Sequence, residues 1–133
     1  MNYYCKTVLL IDDNEIDNVL NERLIKANMF AKNVFICQTN KDALDFLMNE
    51  AIKNDSIPDI IFLDIRMPMG DGFDFLKAYQ KLPIGTRNKT KIIMLTSSLE
   101  EEDINKALLN PLVNHILNKP LSFESLNELK RTL

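Results

Sequence analysis

Five polar residues whose side chains can hold a metal ion or an anion follow apolar runs in this sequence. In chain order they are Asp12, Asp13, Asp64, Thr96 and Lys119. Two carboxylates about 4 Å apart repel by roughly 4 kcal/mol at an effective dielectric constant of 20, so three carboxylates need more positive charge than one lysine supplies. A divalent cation would supply that charge, and an all-oxygen ligand set favours Mg²⁺. A phosphoryl group would complete the charge balance, with Asp64 as its covalent acceptor, because carboxylates form acyl phosphates.

Apolar runs and helical patterns alternate along the chain. The runs predict five strands, at 7–11, 34–37, 60–63, 91–95 and 112–117. The alternation predicts a doubly wound α/β fold, with a five-stranded parallel sheet in the flavodoxin-like order 2-1-3-4-5 and helices on both faces. Such sheets bind ligands at the carboxyl ends of the strands, where the strand order reverses between the first and third strands. We therefore expect the five polar residues to meet at one edge of the sheet.

Apolar spacing also predicts the buried face of each helix. For the first helix the buried residues would be Ile16, Val19, Leu20, Leu24 and Ile25. For the second they would be Ala43, Leu44, Leu47, Met48, Ala51 and Ile52. The fourth helix begins in an acidic run with a capping box of Ser98 and Glu101, and would bury Ile104, Ala107, Leu108 and Leu109. Residues 82–89 are polar and rich in turn formers, which predicts a loop.

Composition narrows the class of protein. A length of 133 residues favours one domain spanning 1–133. The net charge of −3, without a dense basic run, argues against nucleic acid as a direct partner. No apolar segment approaches the roughly 20 residues of a membrane helix, and the first residues lack a signal-peptide pattern, so we expect no membrane insertion and a cytoplasmic location. Cys5 and Cys37 are too few for a disulfide scaffold or a closed zinc site, and we expect them to act as small apolar residues.

Several short motifs occur in a recognisable order. They are Asp12-Asp13, Asp64 within Leu-Asp-Ile-Arg-Met-Pro, Asp71-Gly72, Leu95-Thr96-Ser97 and Lys119-Pro120. In these motifs the chain resembles the receiver domain of two-component response regulators, and in particular the single-domain, CheY-like members. The resemblance extends from Val8 to about Leu129 and includes no output domain. It implies a phosphorylation-controlled switch, which is not an enzyme with a substrate of its own but assists its own phosphorylation and dephosphorylation.

The resemblance also implies a role for each site residue. Asp64 would accept a phosphoryl group from the phosphohistidine of a sensor histidine kinase. Asp13 and Asp64 would ligate Mg²⁺ directly, together with the backbone carbonyl of Arg66, while Asp12 would act through a metal-bound water. Lys119 would pair with Asp64 and later with a phosphoryl oxygen, and its peptide bond to Pro120 would be cis. Thr96 would move inward to bind the phosphoryl group.

The sequence departs from the family pattern at the position of its usual aromatic switch residue, where Ile116 stands. We therefore expect the loop containing Ser97 and Ser98, with the acidic helix after it, to transmit the signal. Arg66 and Ser98 occupy the variable positions that flank the phosphoryl group in this family and tune its lifetime. Arg66 could shield the acyl phosphate or simply reach solvent.

The remaining alternatives concern the partners and the reaction class. Output would pass to an unknown protein through the surface of the fourth helix, fifth strand and fifth helix. The domain could instead relay the phosphoryl group to a histidine phosphotransfer protein. A phosphohydrolase of the haloacid dehalogenase type would also place an aspartate nucleophile after a strand, but it typically carries a second aspartate two residues later. That position is Arg66 here, which makes the hydrolase the weakest alternative.

Overall fold

Five strands and five main helices alternate in the computed structural model, which describes residues 2–68, 70–97 and 101–133. The strands are β1 (Cys5–Ile11), β2 (Ala31–Cys37), β3 (Ile60–Asp64), β4 (Lys91–Thr96) and β5 (Val113–Asn118). The helices are α1 (Glu15–Ala27), α2 (the consecutive segments Asn40–Asp45, Phe46–Glu50 and Ala51–Lys53), α3 (Gly72–Tyr79), α4 (Glu101–Leu109) and α5 (Phe123–Thr132). A short helix, Ile84–Arg87, lies where the sequence predicted only a loop.

The sheet is fully parallel and has the order β2-β1-β3-β4-β5. This confirms the predicted fold class and strand order. The register brings the site residues together. Ile11 pairs with Leu63, so the residues that follow them, Asp12 and Asp64, are neighbours at the edge of the sheet. Thr96 pairs with Asn118, which places Lys119 one residue beyond the end of the ladder.

The sheet separates two apolar layers. Alternate residues of β1 face opposite sides, with Leu9 and Ile11 packing on the side of α2 and α3, and Val8 and Leu10 on the side of α1 and α5. Every residue of β3 is buried, because helices cover both faces of this central strand. This explains why β3 reads as an uninterrupted apolar run in the sequence.

The predicted buried face of α1 is wrong in the amino-terminal half of the helix and confirmed at Ile25. Ile16 is 71% exposed, and Val19 and Leu20 are exposed as well, whereas Asn18, Asn21 and Ile25 are buried. The amino-terminal half of α1 passes close to the polar end of β1, where the Asn18 side chain donates a hydrogen bond to the backbone carbonyl of Asp12 at 2.8 Å. Polar residues therefore occupy the inward face there, and the apolar ones point to solvent.

Two further helix faces differ from the prediction. In α2, Phe46–Glu50 is a π-helical segment, in which the Ala51 backbone donates to the carbonyl of Phe46. In an α-helix positions eight apart are rotated by about 80°, and the wider π turn removes much of that rotation. Ala43, Leu47 and Ala51 thus stay on the buried side, while Met48 and Ile52 are exposed.

The buried stripe of α4 is narrower than predicted. Asp103 and Ala107 are buried and Ile104 is half-buried, whereas Leu108 and Leu109 are exposed, Leu109 to 84%. Residues 103 and 107 are one helical turn apart and share a face, and the two leucines that follow are rotated away from it. The capping box predicted for α4 includes Ser98, which lies outside the described residues. In the part of the chain that the structure describes, no helix is both long and apolar enough to cross a bilayer.

Candidate functional site

A cavity of about 630 Å³ opens at the carboxyl ends of the central strands. Six of the predicted site residues line it, namely Asp12, Asp13, Asp64, Arg66, Ser97 and Lys119. The parallel register accounts for this convergence, because it brings the residues that end β1 and β3 side by side at the point where the strand order reverses.

Three carboxylates line this cavity. One oxygen from each of Asp12, Asp13 and Asp64 can be chosen so that all three lie within 4.8 Å of one another. Asp12 and Asp64 are buried, whereas Asp13 is exposed at the mouth. Asp12 is also held in place by its neighbour, because its Oδ1 accepts a hydrogen bond of 3.0 Å from the backbone amide of Asn14. The cluster thus has a fixed inner part and a solvent-facing outer carboxylate.

Lys119 reaches across the sheet edge to three acids. Its Nζ lies 2.7 Å from Asp12 Oδ2, 3.3 Å from Asp17 Oδ2 and 3.4 Å from Asp64 Oδ2. Burial alone would lower the pKa of Lys119, but the hydrogen bond to Asp12 and the charges of Asp64 and Asp12 outweigh burial and raise it. The amine is therefore a permanent cation at neutral pH, and its predicted partner Asp64 is the most distant of the three.

The groups around the Asp64 carboxylate supply too little positive charge to offset its burial and the negative charge of Asp12. Its burial, followed by the negative charge of Asp12, raises the pKa of Asp64 from 3.8 to about 6, although Lys119 acts in the opposite direction. A second cation beside these carboxylates would relieve the repulsion. The donors are all carboxylate oxygens, with one facing solvent, and this set fits the preference of Mg²⁺ for a few carboxylates and several waters.

Arg66 forms an ion pair that the sequence did not predict. Its Nη2 lies 2.7 Å from Oδ2 of Asp103, in the first turn of α4. The Arg66 side chain is 58% exposed and that of Asp103 only 9%. The guanidinium thus links the segment after β3 to a buried carboxylate on α4.

Comparison with known proteins identifies the family. A family model described as the response regulator receiver domain matches residues 8–131. The chain belongs to this family. Receiver domains are signalling switches of two-component systems rather than enzymes in the usual sense, and they generally bind Mg²⁺.

Individual relatives agree with this assignment. The receiver is 32% identical over 126 residues to the probable methanogenesis regulatory protein FilR2 of Methanothrix harundinacea (strain 6Ac), covering 95% of this chain and 77% of that protein. It is 33% identical over 129 residues to the hybrid signal transduction histidine kinase D of Dictyostelium discoideum, covering 95% of this chain but 8% of that protein. A crystal structure of a two component response regulator from Cytophaga hutchinsonii, 30% identical, superposes with a TM-score of 0.87, covering 98% of this chain and 97% of that one.

The predicted switch residues of the receiver lie at different depths. Thr96 is buried at the end of β4, and its carbonyl accepts a 2.9 Å hydrogen bond from the backbone amide of Lys119. Ser97 is exposed and lines the cavity. Ser98 lies outside the described residues. Ile116 is half-buried and packs against the apolar layer on the α2 and α3 side of the sheet. The Lys119–Pro120 bond is cis, as the resemblance implied.

A tight turn leads the chain away from Asp64. Gly70 has a φ of +115°, which favours glycine, and Asp71 caps α3 in a reciprocal capping box with Asp74. The Gly72 amide donates to the carbonyl of Ile65 at 2.9 Å. A Cβ atom on Gly72 would lie 2.7 Å from the backbone oxygen of Asp64, so only glycine fits beneath the end of β3.

Several residues around the site were not predicted from the sequence. They are Asp17, Asn18 and Asn21 of α1, and Asp103 of α4. For α1 a signal was present, since Asn14, Asp17, Asn18 and Asn21 recur at helical spacing directly after Asp12-Asp13. A polar stripe that follows a polar strand end indicates a helix facing the site. For Asp103 the sequence held no such signal, because its partner lies 37 positions away in the sequence (103 − 66).

Proposed function

We propose that this protein is a phosphorylation-controlled switch in which Asp64 accepts a phosphoryl group from the phosphohistidine of a sensor kinase. The observation that carries the proposal is the placement of Lys119 Nζ 3.4 Å from Asp64, within a cluster of three carboxylates that opens to solvent. An aspartate that merely ended a strand would need neither a lysine nor two further carboxylates beside it. Here the neighbouring charges suit both a cation and an incoming anion.

Mg²⁺ fits the donor set of this site. Asp13 and Asp64 would hold the ion directly, Asp12 would hold it through a bound water, and the backbone carbonyl of Arg66 would be a further ligand. The exposed position of Asp13 lets a hydrated ion enter without rearrangement of the core. When bound, Mg²⁺ would neutralise negative charge on the phosphoryl oxygens and on the carboxylates around them.

In the transfer step a carboxylate oxygen of Asp64 attacks the phosphorus atom. A P–O bond to Asp64 forms while the P–N bond to the donor histidine breaks, and the imidazole nitrogen keeps the electron pair of that bond. Lys119 already lies beside Asp64 and would pair with a phosphoryl oxygen, while Thr96 would approach from the end of β4 to donate a hydrogen bond. Removal of the group is the attack of water on phosphorus, which returns the Asp64 carboxylate and inorganic phosphate. Positioning and charge neutralisation supply the catalysis in both steps.

The partners would use two different surfaces. The donor protein must reach the cavity mouth, where the exposed Leu20 lines the opening and Ile16 lies one turn earlier on α1. The target protein would bind the surface of α4, β5 and α5. Leu108 and Leu109 are exposed on α4, and a cavity of about 340 Å³ lies between α4 and β5. A cytoplasmic location belongs to the same proposal.

The alternatives differ in the fate of the phosphoryl group. A relay intermediate would use the same site but pass the group on to the histidine of a phosphotransfer protein. A phosphohydrolase of the haloacid dehalogenase type would need a general acid two residues after Asp64. The side chain at that position is Arg66, which is engaged with Asp103 and is no general acid at neutral pH. The switch therefore accounts for the site best.

The test is intact-protein mass spectrometry after incubation with Mg²⁺ and acetyl phosphate. We expect a single phosphoryl adduct on the wild-type protein and none on Asp64→Asn. Asp45→Asn is the matched control, because Asp45 is an exposed carboxylate on α2 away from the cavity, and it should be phosphorylated like wild type. A wild-type protein without an adduct, under conditions that modify another receiver, would refute the proposal, as would an adduct on Asp64→Asn.

A further inference from the structure

The ion pair between Arg66 and Asp103 connects the phosphorylation site to α4. Arg66 lies two residues after Asp64 and lines the same cavity. Its guanidinium extends to α4, where Nη2 and Asp103 Oδ2 are 2.7 Å apart. The pair therefore spans from the loop after the acceptor strand to the first turn of the helix that we propose to carry output.

Asp103 depends on this contact for its charge balance. Its side chain is 9% exposed, and an ionised carboxylate at that depth is costly unless a cation lies beside it. The neighbouring residues Glu101 and Glu102 are acidic and add no positive charge. Lys106, one turn later, has its Nζ 4.5 Å from the centroid of the Phe73 ring. Among the described residues, Arg66 is the cation paired with Asp103.

We propose that Asp103 is a positioning residue, which holds Arg66 away from Asp64 in the unmodified protein, and that phosphorylation draws Arg66 off Asp103. This inference rests on the proposed function, because it requires a phosphoryl group on Asp64. A phosphoryl group carries more negative charge than one carboxylate and offers three oxygens to a planar guanidinium. Arg66 lines the cavity in which that group would form, so the two anions compete for it.

The loss of Arg66 would change α4. Breaking a buried ion pair from one side leaves the other charge uncompensated, which is strongly unfavourable. The first turn of α4 would then have to shift until water reaches Asp103. This route from the site to α4 needs no aromatic residue in β5, and it suits a receiver in which Ile116 occupies the usual aromatic position.

The first test needs no phosphorylation. Backbone amide NMR signals of α4 are compared among wild type, Asp103→Asn, Arg66→Gln and the control Glu102→Gln, which alters an exposed carboxylate in the same turn. We expect Arg66→Gln to move the signals of α4 most, because it leaves Asp103 charged and unpaired. Asp103→Asn removes that charge and should move them less, and the control should leave them in place. If Asp103→Asn fails to fold, Arg66→Gln tests the same contact from its exposed side. Unchanged α4 signals in the pair variants would overturn the proposal.

The second test is the decay rate of the acyl phosphate in a double-mutant cycle. Asp103→Asn frees Arg66 for the phosphoryl group, where it obstructs the attack of water, so we expect decay to slow about fivefold, as for an ion pair of about 1 kcal/mol. In the Arg66→Gln background the same change should leave the rate unaltered. An equal change in both backgrounds would overturn the competition.

The two tests separate this inference from the function on which it rests. A wild-type protein that takes up no phosphoryl group would refute the proposed function and the competition for Arg66 with it. The α4 signals of the unphosphorylated variants would still report on the ion pair between Arg66 and Asp103 itself. A phosphorylated wild type with additive effects of the two substitutions would refute the inference alone.

Discussion

Replacing Asp64 with asparagine should stabilise the protein when no divalent cation is present. Burial and the charge of Asp12 raise the pKa of Asp64 from 3.8 to about 6, so at pH 7.5 the native state holds an unfavourable charge. A difference of about two pKa units corresponds to about 3 kcal/mol. Asparagine has the same shape without the charge, and Lys119 keeps Asp12 and Asp17 as partners. The pKa of about 6 already includes the favourable contact between Asp64 and Lys119, and solvent at the open cavity screens part of the remaining repulsion, so we expect a gain of about 1–3 kcal/mol in the free energy of unfolding.

The pH dependence gives this prediction its sign. Between the unfolded pKa of 3.8 and the folded value of about 6, the native state binds more protons at Asp64 than the unfolded state does. The contribution of Asp64 to the stability of the wild-type protein should therefore fall as the pH rises through this window. Asp64→Asn lacks this titration. Its advantage should be absent below about pH 4, grow up to about pH 6 and stay constant above that value.

The assay is urea unfolding in a chelating buffer, followed by far-ultraviolet circular dichroism because the chain has no tryptophan. The urea midpoint of Asp64→Asn should exceed that of wild type at pH 7.5, with the same dependence of free energy on urea. Added Mg²⁺ should raise the wild-type midpoint more than that of the variant, and Asp45→Asn should behave like wild type throughout. A variant less stable than wild type at pH 7.5, or an advantage equally large at pH 4, would refute the reasoning.

Three more substitutions test other parts of the site. Lys119→Met leaves Asp12 and Asp64 buried without their cation, so we expect the free energy of unfolding in urea to fall by about 3 kcal/mol. Added Mg²⁺ should restore part of that loss. Unchanged stability would contradict the role of Lys119. Asp13→Asn alters an exposed carboxylate of the proposed metal site, so calorimetry should show Mg²⁺ affinity at least about tenfold weaker and a stability change within about 0.5 kcal/mol. Wild-type affinity would exclude Asp13 as a ligand. Gly72→Ala places a Cβ 2.7 Å from the Asp64 carbonyl oxygen and should lower the free energy of unfolding by about 1–3 kcal/mol in thermal unfolding. The Cβ of the control Gly85→Ala meets nothing within 4 Å, so that variant should be as stable as wild type. Equal effects of the two substitutions would refute the packing argument.

The sheet and the identity of its polar edge could be predicted from the sequence because strands covered on both faces leave a continuous signal. The run that becomes β3 has no polar residue until Asp64, as expected for a strand that helices cover on both faces. Once the strand order was fixed, the positions of Asp12, Asp64 and Lys119 followed from topology. The prediction needed no knowledge of side-chain conformations.

The buried faces of the helices and the contact partners of the site side chains were harder to predict from the sequence. Apolar periodicity assigns the apolar stripe to the core, but α1 turns Asn18 and Asn21 inward because the end of β1 is polar. The π-helical segment of α2 changes the helical period that the prediction assumes. The contact of Arg66 with Asp103 depends on the rotamers of two long-separated residues, and sequence spacing carries no information on it.

The three contacts of Lys119 have a consequence for folding. Its partners Asp12 and Asp17 precede it by 107 and 102 residues, so these contacts close nearly the whole chain into one loop. Contacts of such long sequence separation form only after the entropy of loop closure has been overcome, and in a parallel sheet that step comes late. A chain that has emerged from the ribosome only as far as β4 already contains Asp64, the proposed acceptor, but not the Lys119 amine beside it. The proposed switch would therefore become competent for phosphorylation only when the last strand has joined the sheet, and partly folded molecules would not be phosphorylated.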